Sequence, residues 1–294
     1  MSSAQRLDFA GLGASKCGST WIHRCLADHP EVCASDPKEL DFFKEHGPEY
    51  SLDALFSKHF AHCSTEKTRG HVTPAYFENM EAPAVFARDF PNLRLFVCLR
   101  DPIDRYCSAY YFHLAGGRQK FPSLDVKIQS ELNNGDSKDL RKGRYAEHLK
   151  RWREHFPTEQ ILVLFYDDIT TDPVAFIQRI YAHIGADATF VPPAAASEKQ
   201  TKRVTQRSRA LHKAIAMTRR LFTQGPLQPV LPLARRVGLG AAKNALLKRN
   251  VVVSNNTPPP PLDPGLRAQL RAYYLDDIQE LERLTDRKLS QWIT

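Results

Sequence analysis

Short apolar runs alternate along this chain with longer amphipathic stretches. Three runs are strand-sized and mostly apolar: Phe9 to Leu12, Leu93 to Leu99 with Arg94 inside it, and Ile161 to Asp168 with an acidic pair at its end. Near-continuous apolarity over such lengths marks strands covered on both faces. Between them apolar residues return every three or four positions, which predicts helices. Trp21, Ile22, Cys25 and Leu26 form the inner face of the first, with Ser19 or Thr20 as its N-cap. Further helices are predicted over Met80 to Phe90, over Phe121 to Asn134, and over Gly143 to Pro157 with Tyr145, Leu149, Trp152 and Phe156 inward. Asp101-Pro102 and Thr171-Asp172-Pro173 each supply a cap followed by a proline at the first helical position, and the second of these helices closes at Gly185. A last helix runs from Pro264 to about Asp286 with Leu266, Leu270, Tyr274, Ile278, Leu281 and Leu284 on one face, and Leu289 and Trp292 pin the tail. Strand and helix alternation predicts an α/β fold: a single domain with a mainly parallel central sheet and helices on both faces.

The stretch from Phe9 to Pro30 carries the first chemistry. A strand, a glycine-containing turn and a helix N-terminus present unpartnered backbone N–H groups and a positive dipole end, which suits an anion. Gly13 and Gly18 permit close approach, and Lys16 adds a cation. The Walker A pattern needs lysine directly after the second glycine, where Ser19 stands; the dinucleotide pattern needs a third glycine where Lys16 stands.

What the stretch resembles is the K-x-G-[ST]-T-[WxL] loop of sulfotransferases that use 3′-phosphoadenosine 5′-phosphosulfate (PAPS). The resemblance implies that Lys16, Cys17, Gly18, Ser19, Thr20 and Trp21 hold the 5′-phosphosulfate, with Lys16 also acting in catalysis. Glu39-Leu40-Asp41-Phe42-Phe43 is similar to the E-x-[HQ]-F-F segment of the glycan-modifying branch except at Asp41, and implies Glu39 as catalytic base. Arg69 to Phe77 is similar to that branch's E-K-T-P-A-Y-F strand, with His71 in place of the Glu and Val72 in place of the Lys. His71 is then either a second candidate base or a packed strand-end histidine. The block from Arg100 to Tyr110 matches R-D-P-x-x-R-x-x-S-x-Y, which implies that Arg100 and Ser108 bind the 3′-phosphate. Motif order is kept from Phe9 to about Gly185. The implied organisation is one sulfotransferase domain over 1–294, with a core at about 7–190, a basic helical region at about 199–250 and a C-terminal helix at about 263–294. The implied enzyme moves a sulfuryl group from PAPS to a hydroxyl or amine of a carbohydrate, lipid or small metabolite, without a metal.

Composition limits the alternatives. Of 41 Lys and Arg residues, 13 fall between Lys199 and Arg249 without one Asp or Glu, so the rest of the chain carries 28 basic against 33 acidic residues. This region, with helices predicted from Arg207 to Phe222 and within Leu227 to Lys248, suits an anionic glycan or an acidic membrane face, or is a solvated helix pair. Nucleic acid is disfavoured, since no aromatic–basic interleaving accompanies the charge. No apolar run is long enough to span a membrane, and the nucleotide loop starts too early to leave room for a signal peptide. The six cysteines show no CxxC pair or metal spacing and read as reduced thiols, which gives an expectation of a cytoplasmic protein. Two rival readings stand beside sulfuryl transfer: a P-loop kinase or nucleotidase holding magnesium through Asp167 or Asp168, and a non-catalytic anion-binding scaffold.

Overall fold

The structure is a computed structural model that describes residues 6–40, 52–64, 66–116, 118, 121, 123–135, 137–196, 203–206, 251–254 and 262–294. Five strands, β1 (Phe9–Gly13), β2 (Val32–Ala34), β3 (Thr68–Val72), β4 (Arg94–Leu99) and β5 (Ile161–Phe165), form one parallel sheet in the order β2-β3-β1-β4-β5, flanked by helices. β1 lies at the centre, with Phe9 opposite Gly70 of β3 and Arg94 of β4, and all five of its residues are buried. This accounts for the unbroken apolar run.

Two elements differ from the periodicity. β2 falls where a loop is expected; three residues are too few for a pattern, and the strand exists because the edge of β3 pairs Val32 with Thr68. The run at Ile161 stops being a strand at Phe165. Tyr166–Thr171 is a helix with Asp167 and Asp168 in its first turn, where carboxylates meet the positive end of the helix dipole.

The helices of the described residues are α1 (Ser19–Ala27), α2 (Leu52–His59), α3 (Ala82–Asp89), α4 (Pro102–Ala115), α5 (Leu124–Asn134), α6 (Lys138–Arg141), α7 (Tyr145–Arg153), α8 (Tyr166–Thr171), α9 (Pro173–Ile184), α10 (Pro193–Ala196), α11 (Pro264–Thr285) and α12 (Ser290–Ile293). The periodicity and caps predict α1, α3, α4, α5, α7, α9 and α11, which appear with shifted ends; the short α2, α6, α8, α10 and α12 are not among the predicted helices. The caps at the proline-led starts hold. Asp101 Oδ1 accepts from Ile103 N at 2.8 Å and Asp104 N at 3.0 Å, and Asp172 Oδ1 accepts from Ala175 N at 2.9 Å. Gly185 closes α9 in the left-handed region at φ +78°. α10 replaces an expected loop.

The chain divides into two compact units, Met1–Tyr106 with Glu131–Glu198 and Pro264–Thr294, and Cys107–Ser130 with Lys199–Asp263. In the second, β6 (Arg203–Gln206) and β7 (Val251–Ser254) pair antiparallel. The helices predicted from Arg207 to Phe222 and within Leu227 to Lys248, and most of the basic region, lie outside the described residues, as do Asp41 to Phe43. Among the described residues no helix is long and apolar enough to cross a membrane.

The expectation of six reduced thiols is corrected. Cys33 and Cys63 form a disulfide with Cα atoms 5.7 Å apart, within the span a cystine bridges. The partners are 30 residues apart in sequence, so only the folding of α2 back against β2 brings them together.

In the first unit α11 closes the core over α7. Leu266, Leu270, Tyr274, Ile278 and Leu281 are buried, and Trp292 packs 5.8 Å from Phe165 and 6.3 Å from Tyr145 between ring centres. No side chain of α7's own cap residue, Arg144, satisfies its first N–H groups. Asp277 of α11 does so instead, accepting from Ala146 N at 3.1 Å and Glu147 N at 3.2 Å. Burial pushes the Asp277 carboxyl up to about 6, with the two N–H bonds pulling the other way. The ordinary value is 3.8, so the folded chain holds this proton more tightly than the unfolded chain between roughly pH 4 and 6. The group's contribution to stability is therefore greatest below pH 4 and falls as pH rises through 6. Asp277→Asn removes that slope, and the variant's stability relative to the parent should rise by about 2–3 kcal/mol from pH 4 to pH 7 in urea unfolding. A difference that does not change with pH would show that burial does not tune this carboxylate.

Candidate active site

Because all five strands point the same way, their carboxyl ends share one edge, and the chain leaves that edge in loops that carry the candidate residues. A register shift between Gly11 and Gly13 bends the end of β1, and Ala14 N donates to Cys98 O at 2.9 Å as the chain turns away. The following loop enters α1 through two left-handed residues, Lys16 at φ +70° and Gly18 at φ +87°. A Cβ at Gly18 would stand 3.0 Å from Ile169 Cδ1 and 3.4 Å from Tyr166 Cε2, so the loop lies directly on α8.

Gly18 itself is the N-cap of α1, and no side chain caps the helix. Ser19 and Thr20 are instead its first two helical residues, half-buried and exposed. The reason is positional: a left-handed residue ends the loop, and only glycine takes that conformation without strain. Their hydroxyls and backbone N–H groups therefore stand at the mouth of the loop, with the half-buried Lys16 beside them.

Cys17 and Trp21 contribute differently from what their place in the motif implies. The Cys17 side chain is buried, and burial pushes its thiol up to about 11 against the opposing charges of Arg105, Arg100 and Lys16. It stays neutral and leaves only its backbone to the loop. Trp21 commits its indole N–H to Ala194 O at 3.0 Å and its backbone N–H to Gly18 O at 2.9 Å, so it braces the loop.

Arg100 directly follows β4, the strand beside β1. Its guanidinium lies 4.9 Å from the ring centre of Tyr166 and 3.7 Å from Asp104. Tyr166 thus touches both Gly18 and Arg100, a role with no sequence signal, since it reads as one more residue of a strand. Arg105, the second arginine of the R-D-P-x-x-R block, is a fully buried guanidinium whose Nη2 donates to Asp139 O at 2.9 Å and whose charge acts on Cys17. Ser108 is half-buried on α4, in the second compact unit.

The turn after β2 carries Glu39, and six hydrogen bonds hold it. Ser35 N donates to Gly70 O at 3.0 Å, Ser35 Oγ to Lys38 O at 2.9 Å and Asp36 N to His59 O at 3.0 Å. His23 Nε2 of α1 donates to Ser35 O at 3.0 Å, Leu40 N to Thr73 Oγ1 at 3.0 Å, and the Tyr76 hydroxyl to Leu40 O. On this frame Glu39 is exposed, its Oε1 2.7 Å from Lys38 Nζ. Glu39 and Lys38 are close enough to His23 for their charges to act on its imidazole, which burial holds below its ordinary value. The carboxylate therefore sits beside α1 at the loaded edge of the sheet.

His71 is placed elsewhere. It is 1% exposed, with Tyr76 and Phe86 against its ring and Nδ1 3.1 Å from Thr73 Oγ1. Burial, with the charges of His59 and His23, pushes it down to about 3. Such an imidazole is too weak a base for a hydroxyl proton at neutral pH. It is a packed histidine, linked through Thr73 to the Glu39 turn.

The rival magnesium site also changes. Asp167 and Asp168 are on a helix, and Asp168 is ion-paired to Arg287 at 2.7 Å and Arg179 at 3.4 Å. Its charge is already balanced by two guanidinium groups.

The family model described as a sulfotransferase domain matches residues 8–219. The chain belongs to the sulfotransferase domain family, a family of enzymes. Over 193 residues it is 26% identical to human bifunctional heparan sulfate N-deacetylase/N-sulfotransferase 3, covering 60% of this chain and 22% of that protein. Over 179 residues it is 28% identical to human heparan sulfate glucosamine 3-O-sulfotransferase 3B1, covering 59% of this chain and 45% of the relative. The chain thus spans less than half the length of these curated relatives. A sulfotransferase from Alicyclobacillus acidocaldarius superimposes with a TM-score of 0.64 at 20% identity over 98% of this chain and 99% of its own, so the two share a fold.

The sulfotransferase loop gives a direct test. In Gly18→Ala a Cβ must sit at φ +87°, pressed on Ile169. Loss of about 1–2 kcal/mol of stability is expected from the left-handed conformation alone, read by chemical denaturation. Unchanged stability would mean that the loop does not hold Gly18 in that conformation.

Proposed function

We propose that this sulfotransferase domain takes PAPS as donor and passes its sulfuryl group to a hydroxyl or amine of a carbohydrate acceptor. The observation that carries the reading is the uncapped start of α1, with Lys16 and Gly18 in left-handed conformation before it and Arg100 on the neighbouring strand end. A side-chain cap would occupy the N–H groups that an anion needs; here a lysine stands beside them instead.

In the proposed transfer, the 5′-phosphosulfate lies across the α1 N-terminus. Glu39 takes the acceptor proton as the acceptor oxygen or nitrogen attacks sulfur. The bond from sulfur to the bridging oxygen breaks, and the electron pair stays on the 5′-phosphate of the leaving 3′-phosphoadenosine 5′-phosphate. Lys16 and the N–H groups of Gly18 to Thr20 stabilise the charge that develops there, which is preorganised electrostatic catalysis. Arg100 offers a guanidinium fork to the 3′-phosphate. A sulfuryl group carries one negative charge and needs less neutralisation than a phosphoryl group, so side-chain cations and backbone dipoles suffice without a metal. A carbohydrate acceptor is favoured because the curated relatives are named for heparan sulfate.

Calorimetric titration with 3′-phosphoadenosine 5′-phosphate in EDTA tests the donor, with magnesium-ATP as control. Micromolar binding is expected. Arg100→Ala should weaken it about tenfold or more, the usual loss when a hydrogen bond to a charged group disappears. Glu39→Gln should bind the nucleotide normally and lose about 100-fold or more in transfer from PAPS to a glucosamine oligosaccharide. Preference for magnesium-ATP would replace this reading with the kinase; turnover unchanged in Glu39→Gln would remove Glu39 as base.

A further inference from the structure

Behind the turn that carries Glu39, three side chains meet that sulfuryl transfer does not use. Cys33 is buried on β2, Cys63 is half-buried after α2, and the exposed His62 lies beside the bond they form, in contact with Cys33. One ligand atom from each lies within 4.8 Å of the other two, a spacing open either to a soft metal or to thiol–disulfide exchange.

His62 decides between the two. Its Nε2 is 3.1 Å from the Ala34 carbonyl oxygen, and a carbonyl only accepts, so this nitrogen carries the proton. The same nitrogen stands 3.6 Å from Cys33 Sγ. A protonated nitrogen has no lone pair for a metal, whereas an N–H shared between the Ala34 carbonyl and the nearby sulfur can turn to a thiolate and stabilise it.

We propose that Cys33 and Cys63 form a reversible thiol–disulfide exchange site whose co-reactant is a dithiol, and that its state sets the order of the Glu39 turn. A thiolate of the dithiol attacks Cys63 Sγ, the more accessible sulfur. The Cys33–Cys63 bond breaks and Cys33 leaves as a thiolate beside the His62 N–H, later taking a proton from solvent. The second thiol of the co-reactant then attacks the mixed disulfide. This releases Cys63 as a thiol and the co-reactant as its own disulfide, so one disulfide is reduced for each dithiol oxidised.

The consequence follows from what the bond encloses. It closes a 30-residue loop that contains Glu39 and α2. The backbone of Asp36, three residues before Glu39, hangs from His59 O at the end of α2, four residues before Cys63. With the cystine intact, β2 and the end of α2 grip the turn together; once it opens, the grip depends on hydrogen bonds alone. Only the effect on turnover rests on the proposed role of Glu39.

The test uses the whole chain purified without reductant. Alkylation in denaturant should label four of the six cysteines, leaving Cys33 and Cys63 joined in the peptide map. Prior incubation of the folded protein with dithiothreitol should make all six reactive. Hydrogen exchange at the Asp36 and Leu40 amides should accelerate on reduction. Transfer should fall about tenfold or more, the scale of a slightly misplaced catalytic group, with nucleotide affinity unchanged. Cys63→Ser should show the reduced level and ignore dithiothreitol; if that variant does not fold, the parent with and without reductant gives the answer. Six reactive thiols before reduction, zinc bound in stoichiometric amount, exchange at Asp36 and Leu40 indifferent to reduction, or turnover indifferent to reduction would each overturn the proposal. A chain without any transfer activity would refute the sulfotransferase reading alone, since thiol count and hydrogen exchange still report on the clasp.

Discussion

The parallel pairing of β1 on both sides is the interaction on which the rest of the structure depends. Buried between β3 and β4, β1 cannot shift register without exposing Phe9 and Leu12 or burying loop residues against the sheet. Its end is therefore fixed to within a residue, and with it the height at which the chain turns into α1. The ends of β3 and β4 are fixed by the same ladder. Thr73, which holds the Glu39 turn, and Arg100, which faces Tyr166, are consequences of this register as much as the anion loop is.

Charge is arranged around that edge at two depths. Arg105 is buried and serves the interior, while Lys16, Lys38, Glu39 and Arg100 keep contact with solvent. Exposed ion pairs contribute little to stability, so Lys38 with Glu39 and Arg100 with Asp104 can open to a ligand at small cost. The buried groups cannot. Cys17 and His71 are both held neutral by desolvation, which removes them from proton transfer and leaves them as packing.

The Glu39 turn shows how a short polar segment is made rigid. Its six hydrogen bonds come from α1, β3, the segment after β3, the end of α2 and the turn itself. No two of the tertiary anchors are neighbours in sequence. A carboxylate on a loop of this kind is as well placed as one on a strand, provided every anchor is present.

The division between what is local and what is not runs through particular residues. The buried strands, the caps at Asp101 and Asp172, the stop at Gly185 and the inner face of α11 were legible because each depends on residue type over a few positions. The turn at Lys16, Gly18 and Ser19 was also legible as the link between a strand and a helix, since glycine has a local reason to be there. Other features follow from partners far away in sequence. β2 exists only by pairing with β3. The cap of α7 is supplied by Asp277, from across the chain. Cys33 meets Cys63 only once α2 folds back, and Tyr166 meets Arg100 only when β4 and β5 lie side by side. By itself the sequence determined the α/β class, the glycine turn from β1 into α1 and the residue types of the candidate site. The tertiary structure alone decided which cysteines pair, which histidine is buried and which groups face one another, because burial and long-range contact depend on packing that no local window contains.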